Sequence, residues 1–123
     1  NGVEYIASPR KTNKKEKPLK TAITQLLNGP NKNETKNNKY TEIPPKTELL
    51  EIKENHNKIT INLSRDFEYG GGADSMKTRV YQLIKTVTET AQNKDIYLEL
   101  ENEKVEVIGG EGIIIKQPLE KNL

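Results

Sequence analysis

The strongest structural pattern in the chain lies in residues 59–91, which read ITINLSRDFEYGGGADSMKTRVYQLIKTVTETA. Residues 59–64 alternate aliphatic side chains with polar ones, and this pattern predicts a strand. A charged corner at 65–67 and three glycines at 70–72 follow, and the next apolar residues recur at helical spacing. We therefore predict an amphipathic helix that covers a sheet. Its apolar face consists of Met76, Val80, Leu83, Ile84, Val87 and Ala91. Its other faces are expected to carry Lys77, Arg79, Lys85 and Glu89.

The first forty residues predict a strand, a short helix and a loop. Val3–Ala7 alternates weakly, as a first strand does. Pro18 is a favoured first residue of a helix, and the apolar stripe after it stops at residues 28–30, where a glycine and a proline end the helix. Residues 31–39 contain no apolar side chain, so we expect a mobile loop there.

Two hairpins are predicted around the long helix. Residues 47–54 form a strand with Leu50 and Ile52 on one face, and the Asn-His-Asn turn at 55–57 leads into the strand at Ile59. After the helix, residues 96–101 alternate aliphatic and polar side chains, as a half-buried strand does. The second hairpin is expected to turn at Asn102-Glu103, to include Val105 and Val107, and to end at Gly109-Gly110, with a last short strand at Ile113–Ile115.

The order βαββαββ predicts an α+β fold, in which two helices pack on one face of a small mixed or antiparallel sheet. We expect residues 1–123 to form one domain with a mobile Lys/Asn-rich loop at about 31–39. The predicted core contains Phe67, Leu83, Val87, Ile96 and Leu98. The junction between the long helix and the next strand is expected to depend on Thr86, Thr88 and Glu89.

Positive charge is concentrated in the first third of the chain. Residues 1–40 carry nine Lys/Arg and three Glu, whereas residues 41–123 carry eleven Lys/Arg and fifteen Asp/Glu. Such a basic segment can contact nucleic acid or an anionic membrane surface. Arg10 is its only arginine and few aromatic residues lie between its lysines. A solvated loop is therefore favoured over nucleic-acid binding by residues 10–39.

The composition excludes several kinds of site. The chain has no cysteine, which rules out disulfides, thiolate metal sites and a cysteine nucleophile. The longest aliphatic run is Ile113–Ile115, far below the roughly 18 residues that cross a bilayer. The chain begins at Asn1 rather than Met. We therefore expect membrane contact only through a signal or anchor upstream of this sequence.

The glycines and the histidine do not predict a binding site. Residues 70–72 precede a helix, as in phosphate-binding loops, but they match neither GxGxxG nor a P-loop. Asp74 lies where an anion would bind, and we interpret it as the helix cap. His56 is the only histidine and is expected in a hairpin turn.

The carboxylates and serines do not predict a catalytic group. Glu99, Glu101, Glu103 and Glu106 could form a weak cation site, but a solvated strand face is favoured. Asp66 and Glu68 have no nucleophile or orienting group nearby, and Asp66 is expected to fix the corner after the strand. Ser64 and Ser75 have no histidine within reach of a triad. We therefore predict no catalytic, cofactor-binding or metal-binding residues, and no cofactor.

Several short motifs follow one another along the chain in a specific order. They are Leu26–Pro30, Ile43–Thr47, Ile61–Phe67, the glycine link, Thr86–Glu89, Gly109–Gly112 and Gln117–Leu119. Their order resembles that of the GerM (GerMN) domain of sporulation and spore-germination proteins, and the resemblance covers nearly the whole chain.

The resemblance implies an exported domain, commonly anchored as a lipoprotein, in the intermembrane space between mother cell and forespore. It also implies a fold similar to small ring-building modules, and no catalytic residues. The leading hypothesis is a non-enzymatic domain that binds envelope or channel proteins, or copies of itself. The alternatives are a module that binds peptidoglycan and, less favoured, a nucleic-acid-binding domain that uses residues 10–39.

Overall fold

The computed structural model describes residues 18–29, 41–91 and 93–121. The predicted strand at 3–7 and the predicted loop at 31–39 lie outside these residues. The helices are α1 (Pro18–Asn28) and α2 (Ala73–Thr90). The strands are β1 (Leu49–Glu54), β2 (Lys58–Leu63), β3 (Asp95–Leu100), β4 (Glu103–Lys104), β5 (Val107–Ile108) and β6 (Ile113–Ile114), and a 3₁₀ turn spans Arg65–Glu68.

Helix α1 begins and ends where the sequence predicts. Pro18 is its first residue and Asn28 its last. Gly29 then adopts a left-handed conformation with φ of 78°, and its N–H donates to the carbonyl of Leu26 at 3.1 Å. This geometry is the common glycine ending of a helix.

The main sheet has the strand order β1-β2-β3-β4. Strands β2 and β3 are parallel, with Lys58 opposite Asp95 and Leu63 opposite Leu100, and α2 connects them along the chain. The outer strands β1 and β4 are antiparallel to their neighbours. The sheet is therefore mixed, and the predicted α+β class is confirmed.

One face of the parallel strands forms the core together with both helices. All five predicted core residues are fully buried. Successive side chains along β2 and β3 point to alternate faces of the sheet, so the inward-pointing residues of both strands lie on one face. This face packs against the apolar stripe of α2. The buried residues of the two parallel strands are Ile59, Ile61, Leu63, Ile96, Leu98 and Leu100.

Strand β1 differs from the prediction because it contains a bulge. The register passes from the pair Leu49–Leu63 to the pair Glu51–Asn62, so Leu50 has no opposite residue. Leu49 and Ile52 pack against the core, whereas the Leu50 side chain is 45% exposed. The prediction that Leu50 and Ile52 share a face is wrong, since the extra residue shifts the alternation.

The second hairpin is shorter than predicted. Its turn is formed by Glu101 and Asn102, with φ of 48° and 72°, rather than by Asn102 and Glu103. Consecutive positive φ values are typical of the tight hairpin turns that match strand twist. Val107 leaves this hairpin and instead belongs to a separate two-stranded sheet of β5 and β6.

The C-terminal segment covers the β3 edge beyond the short β4. The Gln117 side-chain amide accepts from the Leu98 N–H at 2.9 Å and donates to the Leu98 carbonyl at 2.9 Å. The same amide donates to the carbonyl of Val105 at 2.7 Å. The N–H of Leu119 donates to the Ile96 carbonyl at 2.7 Å. A side chain and a backbone segment thus replace a further strand.

The end of α2 is held mainly by backbone groups. The N–H of Ala91 donates to the Val87 carbonyl at 2.7 Å, and the Thr90 hydroxyl donates to the Thr86 carbonyl at 3.1 Å. Within the described residues, the buried Thr88 hydroxyl has no hydrogen-bond partner. The predicted junction residues are Thr86, Thr88 and Glu89. Of these, Thr86 contributes through its carbonyl, which accepts the hydrogen bond from Thr90.

Candidate functional site

The first candidate site is the corner at the carboxyl ends of β2 and β3. In sheets with parallel strands, ligands commonly bind in the crevice outside these ends. Ser64 and Arg65 follow β2, and Glu101 and Asn102 follow β3, so the parallel pairing brings these polar residues together. This corner also contains Asp66 and Glu68, for which the sequence predicts no catalytic role.

Arg65 is the centre of the charged groups at this corner. Its guanidinium donates from Nη1 to Glu68 Oε2 at 3.2 Å and from Nη2 to Glu103 Oε1 at 2.9 Å. Its backbone N–H donates to Glu101 Oε2 at 2.9 Å. The hydrogen bond to Glu68, reinforced by Glu103, raises the pKa of Arg65 above its usual value. The carboxylates of Glu68 and Glu103 therefore already have a cationic partner.

The amides and hydroxyls at the corner also bind one another. The buried Asn62 side chain donates to Asn102 Oδ1 at 2.6 Å and accepts from the Asn102 N–H at 3.0 Å, which fixes the turn after β3. Ser64 Oγ accepts from the Glu48 N–H at 2.9 Å and donates to Asp66 Oδ2 at 3.3 Å. Asp66 thus ties the corner together, as the sequence predicts.

Ser64 and His56 lie at opposite ends of β2. His56 is exposed in the turn before the strand, where Asn55 Oδ1 accepts from the N–H groups of Asn57 and Lys58, both at 2.9 Å. Six strand residues separate the two ends, which corresponds to roughly 20 Å. A Ser–His pair is therefore not formed here, and the predicted turn position of His56 is confirmed.

The glycine loop is organised by Arg79. The prediction that Arg79 lies on an outer face of α2 is wrong. The Arg79 side chain is buried, with 3% exposure. It donates from Nη1 to the carbonyls of Phe67 at 3.0 Å and Tyr69 at 2.8 Å, and from Nη2 to the carbonyl of Gly70 at 2.8 Å. Burial lowers the pKa of Arg79, and the charge of Glu42 opposes this shift.

These contacts explain why the loop does not resemble a phosphate-binding loop. An anion site needs N–H groups that converge on the ligand, whereas this loop turns three carbonyls toward a guanidinium. Gly71 has φ of +73°, and a Cβ atom there would lie 2.7 Å from Arg79 Nη2. The interpretation of Asp74 as the helix cap is wrong: Gly72 is the N-cap residue, no side chain caps the helix, and Asp74 lies in the first turn.

Arg79 could have been found from its position in the sequence. It lies three residues after Met76 and four before Leu83, so it falls on the apolar stripe of α2. A cation on such a stripe needs buried acceptors. The neighbouring glycines supply a loop whose carbonyls can approach closely.

Glu68 links this corner to the small sheet. Its Oε1 accepts from the N–H of Gly109 at 3.1 Å, while its Oε2 binds Arg65. Gly109 has φ of +77°, and a Cβ atom at this position would lie 2.9 Å from Met76 Cγ. Among the described residues, no group of three or more His, Asp or Glu side chains could hold a metal ion. The polar groups of this corner mainly join parts of the fold.

The second candidate site is a groove of about 1040 Å³ between α1 and β1. Aliphatic side chains line it together with charged residues, and Lys94 Nζ lies 2.7 Å from Glu54 Oε2 beside it. The groove borders the outer edge of the sheet, because β1 is the first strand in the order. The lining residues are Leu19, Lys20, Leu49, Leu50, Glu51, Ile52, Glu54, Asn55, His56 and Lys94.

The basic segment predicted as an alternative nucleic-acid interface lies largely outside the described residues. Of residues 10–39, the structure describes 18–29, which form α1 and the glycine after it. No helix in the described ranges is long and apolar enough to span a membrane.

Comparisons with known proteins identify relatives by family and by fold. A family model named Germane, described as sporulation and spore germination, matches residues 1–106. This match confirms the resemblance found in the sequence, although the motifs at 109–112 and 117–119 lie beyond it. No curated protein matches the chain.

One solved structure has a similar fold. It is described as a "Putative Lipoprotein from Clostridium perfringens" and is 22% identical to this chain. The similarity covers 89% of this chain and 75% of the other, with a TM-score of 0.66.

Proposed function

The chain belongs to the Germane family of sporulation and spore germination domains, and on that premise we propose that it is a non-enzymatic interaction domain of the spore envelope machinery. It binds envelope proteins, or copies of itself, in the space between mother cell and forespore. Its role is to hold neighbouring proteins in position.

A contrast between the two candidate sites supports this proposal. At the corner after β2 and β3, Arg65, Glu68 and Asn62 are bound by neighbouring groups of the same chain. Catalysis would need a nucleophile or base directed at a substrate. The groove beside β1 instead combines exposed apolar surface at Leu50 with charged residues at its margin, a combination that suits protein binding.

The proposed location is outside the cytoplasm, with the full-length protein anchored as a lipoprotein. The family description and the lipoprotein description of the solved relative support this location. Labelling sporulating cells with a palmitate analogue tests the anchor in the full-length protein. A protein that carries no label and remains in the cytoplasmic fraction would contradict the proposed location.

The interaction role can be tested by site-specific cross-linking in sporulating cells. A photo-reactive amino acid replaces Leu50, which is exposed beside the groove, and in a matched control it replaces Lys85, on an exposed position of α2. We expect position 50 to capture identified envelope or channel proteins, or a second copy of the chain, and position 85 to capture far less. Equal capture from both positions, or capture of cytoplasmic proteins alone, would refute the role.

A further inference from the structure

Strand β1 leaves backbone hydrogen-bonding groups on the outer edge of the sheet. Within the described ranges, β1 pairs only with β2. The N–H of Asn55 donates to the Lys58 carbonyl at 3.0 Å, so this pair is hydrogen-bonded. Antiparallel strands alternate hydrogen-bonded and non-hydrogen-bonded pairs. The backbone groups of Lys53 and Glu51 therefore face β2, and those of Ile52 and Glu54 face outward.

We propose that this edge binds the same edge of a second copy of the chain, antiparallel and about a two-fold axis centred on Ile52. The proposal deepens the interaction role above and rests on it. In this arrangement the outward N–H and C=O of Ile52 bond reciprocally to those of Ile52 in the second copy. An interface that uses the same patch on both copies is the usual basis of a two-fold dimer.

The charges on β1 select this register. With the axis at Ile52, Glu51 lies opposite Lys53 of the second copy, and Lys53 lies opposite Glu51. Moving the axis to Lys53 places two lysines opposite each other, and moving it to Glu54 does the same with two glutamates. Opposite charges in facing positions stabilise a sheet, and like charges destabilise it. The register at Ile52 therefore has complementary pairs at both flanking positions.

The side chains that form these pairs are accessible. Glu51 and Lys53 are 52% and 64% exposed, and their charged atoms are 3.8 Å apart within one chain. They lie on the face of β1 opposite Ile52, because side chains alternate along a strand. In the dimer, Glu51 and Lys53 of both copies would form one cluster on this face, in which each glutamate has a lysine of the other copy opposite it. A lysine on an edge strand normally prevents unspecific pairing with other strands. In this register, Lys53 instead has Glu51 of the second copy as its partner.

The dimer also covers apolar surface beside the groove. Leu50 is 45% exposed, and Ile52 is half-buried at the margin of the core. A second β1 strand alongside would reduce the exposure of both residues in each copy. The contact is short, so we expect a weak dimer whose formation depends on concentration.

Charge reversal tests the proposal. Sedimentation velocity of the purified chain, at up to roughly 1 mM, should show a monomer–dimer equilibrium. Lys53→Glu and Glu51→Lys, each alone, should weaken self-association by about tenfold or more. Mixing these two variants should restore association, because each supplies the charge that the other needs. The double variant E51K/K53E should associate as the unchanged chain does.

Lys85→Glu, on an exposed position of α2, is the matched control for net charge. A monomeric unchanged chain would overturn the proposal, and so would equal weakening by K53E and K85E. Continued capture of envelope proteins by the monomeric chain would leave the interaction role intact. Loss of both capture and self-association would refute the interaction role together with the dimer.

Cysteine cross-linking tests the register itself, since the chain contains no cysteine. In the proposed dimer, positions 51 and 53 form a non-hydrogen-bonded pair with Cα atoms about 4.5 Å apart, which is within disulfide range. A mixture of Glu51→Cys and Lys53→Cys should therefore form a mixed disulfide dimer faster than either variant alone. Faster cross-linking of Lys53→Cys by itself would place the axis at Lys53 and refute the proposed register.

Discussion

Replacing Arg79 by alanine should destabilise the protein and release the glycine loop. The guanidinium is buried and donates to the carbonyls of Phe67, Tyr69 and Gly70 at 2.8–3.0 Å. These bonds connect α2 to the segment that follows β2. The variant Arg79→Ala removes every one of them and leaves a cavity beside Met76, whose sulfur lies 3.6 Å from Nη1.

The size of the effect follows from how each carbonyl is exposed. Tyr69 and Gly70 are exposed residues, so their carbonyls can bind water once the guanidinium is gone. The Phe67 carbonyl makes a buried hydrogen bond, and leaving such an acceptor unpaired costs about 1–3 kcal/mol. Lost packing of the Arg79 stem adds to this cost, and removal of a buried charge offsets part of it. We expect a net loss of about 2–4 kcal/mol, or roughly 8–16 °C in Tm.

Thermal and urea unfolding of R79A measure this loss, and hydrogen exchange at residues 69–72 measures the release of the loop. Arg79→Lys should be intermediate, because one ammonium cannot reach all of the carbonyls in the same geometry. Lys77→Ala, two residues earlier and exposed, is the matched control and should change stability by less than about 0.5 kcal/mol. If R79A and K77A have the same stability, or if exchange at 69–72 is unchanged, Arg79 does not hold the loop.

Three further predictions concern the loop, the covered edge and the cell wall. Gly71→Ala should lower the free energy of unfolding by about 1–3 kcal/mol in urea titrations, because φ is +73° and the new Cβ would meet Ser75 and Arg79. The control Gly72→Ala should have a much smaller effect, because φ is −129° at this position and the space around its Cβ is open. Gln117→Ala should lower the free energy of unfolding by about 2–3 kcal/mol, since it leaves the Leu98 N–H and carbonyl without their side-chain partner. Hydrogen exchange at the Leu98 amide should also accelerate. An unchanged exchange rate would contradict the role of Gln117 in covering the β3 edge. If the protein binds purified peptidoglycan through its basic segment alone, its co-sedimentation with peptidoglycan should be lost at high salt. Co-sedimentation that survives high salt would favour a peptidoglycan-binding module.

The features that the sequence predicts correctly depend on local chemistry or clear periodicity. Pro18 and Gly29 set the ends of α1, because each favours its position through its own backbone geometry. The core stripe of α2 and the alternation of β3 are regular over many residues, so the fully buried positions Leu83 and Leu98 follow from spacing alone.

The features that it misses depend on contacts between distant residues. Leu49 and Leu50 are both aliphatic, so the pattern cannot indicate which one faces the core, and the bulge places Leu49 there. Arg79 is a cation on an apolar stripe, and its burial requires the carbonyls of a loop nine to twelve residues earlier. The place of Arg79 on the apolar stripe indicates that it is buried, but the local sequence does not determine which carbonyls it binds, nor which of the two leucines faces the core.

The two edges of the main sheet differ in a way that supports a role for β1 in binding. At the β3 edge, the Gln117 amide and the Leu119 N–H satisfy the groups that the two-residue β4 leaves open. At the β1 edge, the described residues supply no such cover for the outward-facing N–H and C=O of Ile52. An open edge risks unspecific pairing, which charged side chains normally prevent. The spacing of Glu51 and Lys53 opposes pairing in the shifted registers and favours one antiparallel register, so the same charges that protect the edge can also specify its partner.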